Sequence, residues 1–177
     1  YERWHPTTWP ATKAREVILG HQEERPLFLT ASWAPPHPSL CPPAWYLERY
    51  LRLDLPEPVI GQWAVPPSNE GRGMRVESPR VCLKGEALRA CLAGYFGLID
   101  HLDGQFSWIL RDWFAMCRKQ RRPWIVIYTT DHGEMLGDHY YFRKCEPYEG
   151  SSRIPFLVQG SPELGFATGR RIDSPVC

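Results

Sequence analysis

The chain has 177 residues, the size of one compact domain or of part of a larger one. Apolar residues make up 43% and charged residues 23%, which excludes a disordered tail. Lys plus Arg is 21 against 20 Asp plus Glu, and the net charge of +1 excludes a protein that coats polyanions by bulk charge, so no nucleic-acid partner is expected.

No apolar run reaches the roughly 18 residues of a membrane span. The 18 prolines are about twice the average abundance. With eight tryptophans, they point to long, ordered surface loops. The chain opens at Tyr1 without an initiator methionine or signal peptide, and stops at Cys177 after a polar turn. A segment of a longer protein is expected.

In chain order, a short helix is expected over 11–22, with Ala14, Val17, Ile18 and His21 at helical spacing. Residues 23–26, ending in Pro26, stop it. Residues 27–33 are short and apolar enough for a buried strand. A proline-rich loop follows over 35–43, then one or two helical turns over 44–51. Residues 52–84 show no sustained periodicity, and 68–73 read as loop. A loop of that length in a compact domain carries function.

The strongest periodic signal lies in 86–118. Leu88, Cys91, Leu92, Tyr95, Leu98, Ile99, Leu102, Phe106, Ile109, Leu110, Trp113 and Cys117 recur in steps of three and four. One long amphipathic helix is expected, with a bend at Gly104. The basic run 118–122 complements its C-terminal dipole. Pro123 breaks the helix. The β-branched run 124–130 is the best strand in the chain, and 155–159 is a third strand candidate. Strand, long helix, strand reads as a right-handed crossover joining parallel strands. The expected fold class is α/β, a mostly parallel sheet sandwiched by helices.

The cysteines are 41, 82, 91, 117, 145 and 177, and their spacing fits no zinc pattern. Cys91 and Cys117 fall on the apolar helix face as core residues.

In open α/β sheets, ligands bind beyond the carboxyl ends of the strands. The first strand leads to His37 and the second to Asp131-His132-Gly133-Glu134, so these side chains are expected on one rim. A carboxylate and an imidazole at a strand end can hold a divalent cation. Partners for such a site would be Asp138, His139, Glu134 or Asp103. The plainer alternative is that Asp131 caps the next turn and His132 is a surface residue. Lys144 is a candidate anchor for an anion near the cation. No G-x-S-x-G elbow and no G-x4-G-K-[ST] loop occurs.

The stretch from Thr129 through Asp131-His132-Gly133-Glu134 to Gly137-Asp138-His139 resembles the late metal-binding motif of the sulfatases, in the alkaline phosphatase superfamily. The resemblance continues through Arg143-Lys144 and through Tyr148-Glu149-Gly150 to Arg153-Ile154-Pro155. It also covers Pro36-His37-Pro38 and the helical block from Tyr95 to Asp103. It implies that Asp131 and His132 ligate a catalytic divalent cation, calcium by family habit, with manganese or magnesium as alternatives. It implies that Lys144 contacts the sulfate, that His37 contacts the sulfate or assists the leaving group, and that His139 meets substrate. Tyr148, Glu149, Gly150 and Arg153 would position the loop after the lysine.

Sulfatases use a formylglycine made from Cys in a C-x-[PA]-[SA]-R context, a motif this chain lacks. Cys41 has Trp45 where Arg is needed, and Cys117 lacks the proline and small residue. The resemblance places that nucleophile, and the family's early aspartate ligands, before Tyr1, with a C-terminal subdomain beyond Cys177. The chain is then part of one catalytic domain, inactive alone, whose intact form cleaves a sulfated small molecule or glycan. A periplasmic, secreted or lysosomal location follows from the resemblance only. The alternatives are a phosphonate monoesterase or phosphodiesterase of the same superfamily, and a non-catalytic anion-binding remnant.

Overall fold

The structure is a computed structural model that describes residues 2–22, 24–68 and 80–173. Most of the 68–73 stretch, Glu23 and Cys177 lie outside the described residues. A 3₁₀ turn at Glu2–Trp4 leads into helix α1, Thr8–Gly20. Ala11, Ala14 and Ile18 form its buried stripe at three- and four-residue steps, while Val17 is exposed. Helix α2 is Ala44–Leu51, where one or two helical turns are expected.

Helix α3 runs unbroken from Gly85 to Gln120. Its buried face carries Cys91, Leu92, Leu98, Ile109 and Cys117, so both predicted core cysteines are core residues. Arg121, in the left-handed region at φ 52°, ends it ahead of Pro123. The basic run does more than face the dipole. Gln120 donates to the His21 carbonyl at 3.0 Å, and the Arg122 guanidinium donates to the carbonyls of Glu24 and Arg25. These bonds fasten the start of the 24–33 segment to the helix end.

Two strands are hydrogen-bonded among the described residues: β1, Ile125–Thr129, and β2, Phe156–Gly160. They pair antiparallel, with Ile127 opposite Val158. The second and third strand candidates thus form an antiparallel pair. The connection from β1 to β2 is a loop that turns back on itself, not a helical crossover, so the second strand returns the opposite way.

Residues 27–33 are extended and alternate between half-buried and exposed, as a strand does, but they join no ladder among the described residues. Leu27, Leu29, Ala31 and Trp33 pack on the core of α1 and α3, whereas Phe28 is exposed. This segment and β1 do run the same way. Residues 24 and 25 lie beside Arg122 at one end, and His37 lies beside His132 at the other. Phe106 of α3 touches both, with ring centroids 6.5 Å from Trp33 and 5.4 Å from Tyr128. The crossover direction therefore holds, while its two strands are not bonded neighbours. Helices cover one face of β1; on its other face Ile125 and Ile127 are exposed, as is Val158 opposite Ile127.

Candidate active site

The rim begins where β1 ends. The Thr130 hydroxyl lies 3.3 Å from both Asp131 Oδ1 and the His132 carbonyl, and so clamps the turn. Asp131 points outward, with 84% of its side chain exposed. Its carboxyl is held below the usual aspartate value, chiefly by a hydrogen bond to its own backbone N–H. A little desolvation works the other way, and His132 and Thr130 reinforce the shift. It is therefore an anion at neutral pH.

His132 Nδ1 lies 2.8 Å from the Gly133 carbonyl. A carbonyl only accepts, so Nδ1 carries the proton and Nε2 presents its lone pair. That Nε2 is 3.5 Å from Asp131 Oδ2. One carboxylate oxygen and one imidazole lone pair at that separation fit two adjacent positions around a single divalent cation.

Gly133 is required behind the pair. Its N–H donates to the Ser151 carbonyl at 2.7 Å, and a Cβ at this position would overlap the Gly150 carbonyl. The short helix α4, Glu149–Ser152, thus braces the Asp-His pair from behind. Glu134 turns inward and accepts the backbone N–H groups of Leu136 and Arg143. Asp138 accepts the Val59 N–H at 2.8 Å, and His139 Nδ1 accepts the Gly61 N–H at 3.0 Å. Three of the four expected extra ligands are thus engaged in holding loops. No cluster of three or more His, Cys, Asp or Glu side chains with metal-binding geometry occurs among the described residues.

His37 arrives from the other segment. Its Nδ1 is 2.8 Å from the Pro38 carbonyl, so Nδ1 donates and Nε2 remains for other chemistry. The ring stands 6.3 Å from that of His132, at 67°. Two sequence-distant residues therefore converge as the strand-end argument predicts.

The seat for the His37 loop is on α3. A Cβ on Gly94 would lie 2.6 Å from the Leu40 carbonyl oxygen, and one on Gly97 would lie 2.9 Å from Pro42. Both glycines let the loop backbone approach the helix. Their three-residue spacing on the buried face of the helix is the sequence signal for this seat. Cys41 is exposed and offers its carbonyl to His5 Nε2 at 3.1 Å, and Cys117 is buried in α3.

Lys144 lies in the same 131–153 loop, between Arg143 and Cys145, both at positive φ (71° and 89°). It has no hydrogen-bond or ion-pair partner among the described residues. The structure thus gathers His37, Asp131 and His132, and leaves the lysine ammonium available nearby in sequence. The cavity lined by Leu55, Val81, Leu88, Tyr140 and Phe142 includes none of these four residues.

A strand-end carboxylate-imidazole pair thus faces a second histidine at one rim. Comparison with known proteins gives the family. The sulfatase family model matches residues 10–165. An arylsulfatase of Clostridium perfringens is 36% identical over 160 residues, covering 89% of this chain and 32% of that protein. PehA of Trinickia caryophylli, a multifunctional alkaline phosphatase superfamily protein, is 26% identical over 180 residues, covering 88% and 34%. A crystal structure from Bacteroides fragilis assigned as the sulfatase yidJ superposes with a TM-score of 0.58 at 25% identity, covering 86% of this chain and 30% of that one.

The chain belongs to the sulfatase family, whose enzymes hydrolyse sulfuric esters. It spans about a third of the length of the curated relatives it matches. No helix among the described residues is long and apolar enough to cross a membrane.

Proposed function

We propose that this chain is the central part of a sulfatase catalytic domain that hydrolyses the sulfate ester of a small molecule or a glycan. The observation that carries this reading is the meeting of His37 with the Asp131–His132 pair at one rim. The family match and the arylsulfatase relative support it.

Asp131 and His132 Nε2 would hold the cation. Calcium is the ion the family resemblance favours. When bound, the cation polarises a sulfate oxygen and offsets the charge that develops there. Lys144 binds the anionic sulfate as a compact positive charge. His37, tied at Nδ1 to Pro38, takes a proton at Nε2 and delivers it to the leaving oxygen. The remaining metal ligands and a formylglycine nucleophile would come from residues preceding Tyr1, and a further subdomain from beyond Cys177. The isolated 177-residue chain would then be inactive. An exported location belongs to the same proposal and rests on resemblance.

A second reading has a specific support. A nitrogen ligand suits manganese better than calcium, and PehA is an alkaline phosphatase superfamily relative that aligns across most of the chain. A phosphonate monoesterase or phosphodiesterase would use the same rim.

The coding sequence upstream of Tyr1 tests the proposal. A C-x-[PA]-[SA]-R motif preceded by paired aspartates is expected. A different nucleophile there would favour the phosphohydrolase, and none at all would leave an anion-binding remnant.

A further inference from the structure

Trp63 is 57% exposed, yet its position is fixed from several sides. Its ring lies nearly parallel to that of Tyr148, with centroids 5.5 Å apart at 20°. It also rests against His139 at 4.8 Å. Gly61 makes room for it, since a Cβ there would come within 2.6 Å of the indole nitrogen. The loop carrying it is tied to the site loop by three hydrogen bonds. Val59 N–H donates to Asp138 Oδ1 at 2.8 Å, His139 N–H to the Val59 carbonyl at 2.9 Å, and Gly61 N–H to His139 Nδ1 at 3.0 Å.

Fixing a large aromatic side chain that still meets solvent sacrifices conformational freedom without the full gain of burial. Tyr148 and His139 pack against the ring, and more than half of the residue stays exposed. The stack is also joined to the reaction rim. Tyr148 immediately precedes α4, whose Ser151 carbonyl accepts the N–H of Gly133, the neighbour of His132. Lys144 lies four residues before Tyr148. His139 is packed against both Trp63 and Tyr148, the latter at 5.0 Å, and its Nδ1 is engaged by Gly61. It supports the stack, and Trp63 is the member that reaches solvent.

We propose that the open face of Trp63 is a stacking platform for the leaving group, selecting esters whose alcohol carries a ring face, either aryl or pyranose. This rests on the sulfatase reading of the adjacent rim. An aromatic contact of this kind contributes a factor of roughly five to ten, beyond which area burial adds.

The test compares kcat/KM of the intact protein on 4-nitrophenyl sulfate, glucosamine 6-sulfate and ethyl sulfate, for the wild type, Trp63→Ala and Trp63→Phe. Trp63→Ala is expected to lose about five- to tenfold on a ring-bearing ester and less than about twofold on ethyl sulfate, with Trp63→Phe retaining most of the activity. Loss confined to the aryl or to the sugar ester supports the platform and names the ring. Equal losses on all three esters, or no loss on either ring, overturn it. If the protein prefers phosphate or phosphonate esters, the same aryl-to-ethyl ratio on that acid decides the role of Trp63, so the two readings fail separately. If no ester turns over, titration with 4-nitrophenyl sulfate decides, and an unchanged Kd in Trp63→Ala overturns the platform.

Discussion

Two glycines of α3 should respond to the same substitution with opposite signs. In a helix interior, Gly→Ala removes backbone entropy from the unfolded chain and gains about 1 kcal/mol. At Gly104 the added Cβ would meet only the Tyr46 hydroxyl at 3.7 Å, an ordinary contact, so Gly104→Ala should stabilise by about 0.5–1 kcal/mol. At Gly94 the Cβ would lie 2.6 Å from the Leu40 backbone oxygen, which cannot swing aside as a side-chain tip can. Overpacking of this kind costs about 1–3 kcal/mol, and a backbone clash belongs at the upper end. The net effect of Gly94→Ala should be a loss of about 2 kcal/mol, together with displacement of the loop that carries His37. Urea unfolding of the intact protein measures both variants, and steady-state rates report the displacement: Gly94→Ala should slow turnover and Gly104→Ala should not. A Gly94→Ala variant more stable than wild type would refute the argument that this helix is built to seat the loop.

Other expectations follow from separate parts of the molecule. Removing the His132 ligand (His132→Ala) should weaken calcium or manganese binding to the intact protein by at least about 100-fold in calorimetric titration, more than outer-shell partners cost. Asp112 is 10% exposed and paired with Arg15 at 2.6 Å. Asp112→Ala should destabilise by about 1–2 kcal/mol in urea unfolding, less than for a fully buried pair because Arg15 reaches water. His101 is fully buried on α3, with Nε2 3.0 Å from the Thr8 hydroxyl and its ring stacked on Tyr46. Burial and the nearby His5 lower its pKa, with Glu2 and Asp100 partly opposing. A histidine depressed in the folded state contributes stability above its unfolded pKa of about 6.5, and this is lost as pH falls through the folded value. Stability should therefore decline on acidification below about pH 6.5, and His101→Gln should flatten that slope in melts taken across the pH range.

Periodicity was a sound guide wherever burial is one-sided. The 36 residues of α3 keep their apolar stripe through three interior glycines, and β1 alternates as a strand with one covered face should. The rim was legible for a different reason. His37 and Asp131–His132 each follow an extended run, and extended runs packed on one helix deliver their ends to one place. Pairing was not legible, because hydrogen bonding between strands depends on neighbours distant in sequence. Hence 27–33 reads as a strand but joins no ladder among the described residues, and β2 pairs antiparallel to β1. The roles of Glu134, Asp138 and His139 were hidden too. A carboxylate or imidazole that holds a loop through backbone N–H groups has the same sequence signature as one that holds a metal.

The central claim is that His37, Lys144, Asp131 and His132 form part of a site for sulfate esters. Its most direct test is the kcat/KM of the intact protein on 4-nitrophenyl sulfate, set against 4-nitrophenyl phosphate and a phenylphosphonate ester, with the Lys144→Ala and His37→Ala variants in parallel. Sulfate release faster than either phosphorus ester, and reduced by about 100-fold or more in both variants, is the predicted result. Preference for a phosphorus ester, or sulfate release indifferent to both variants, would contradict it.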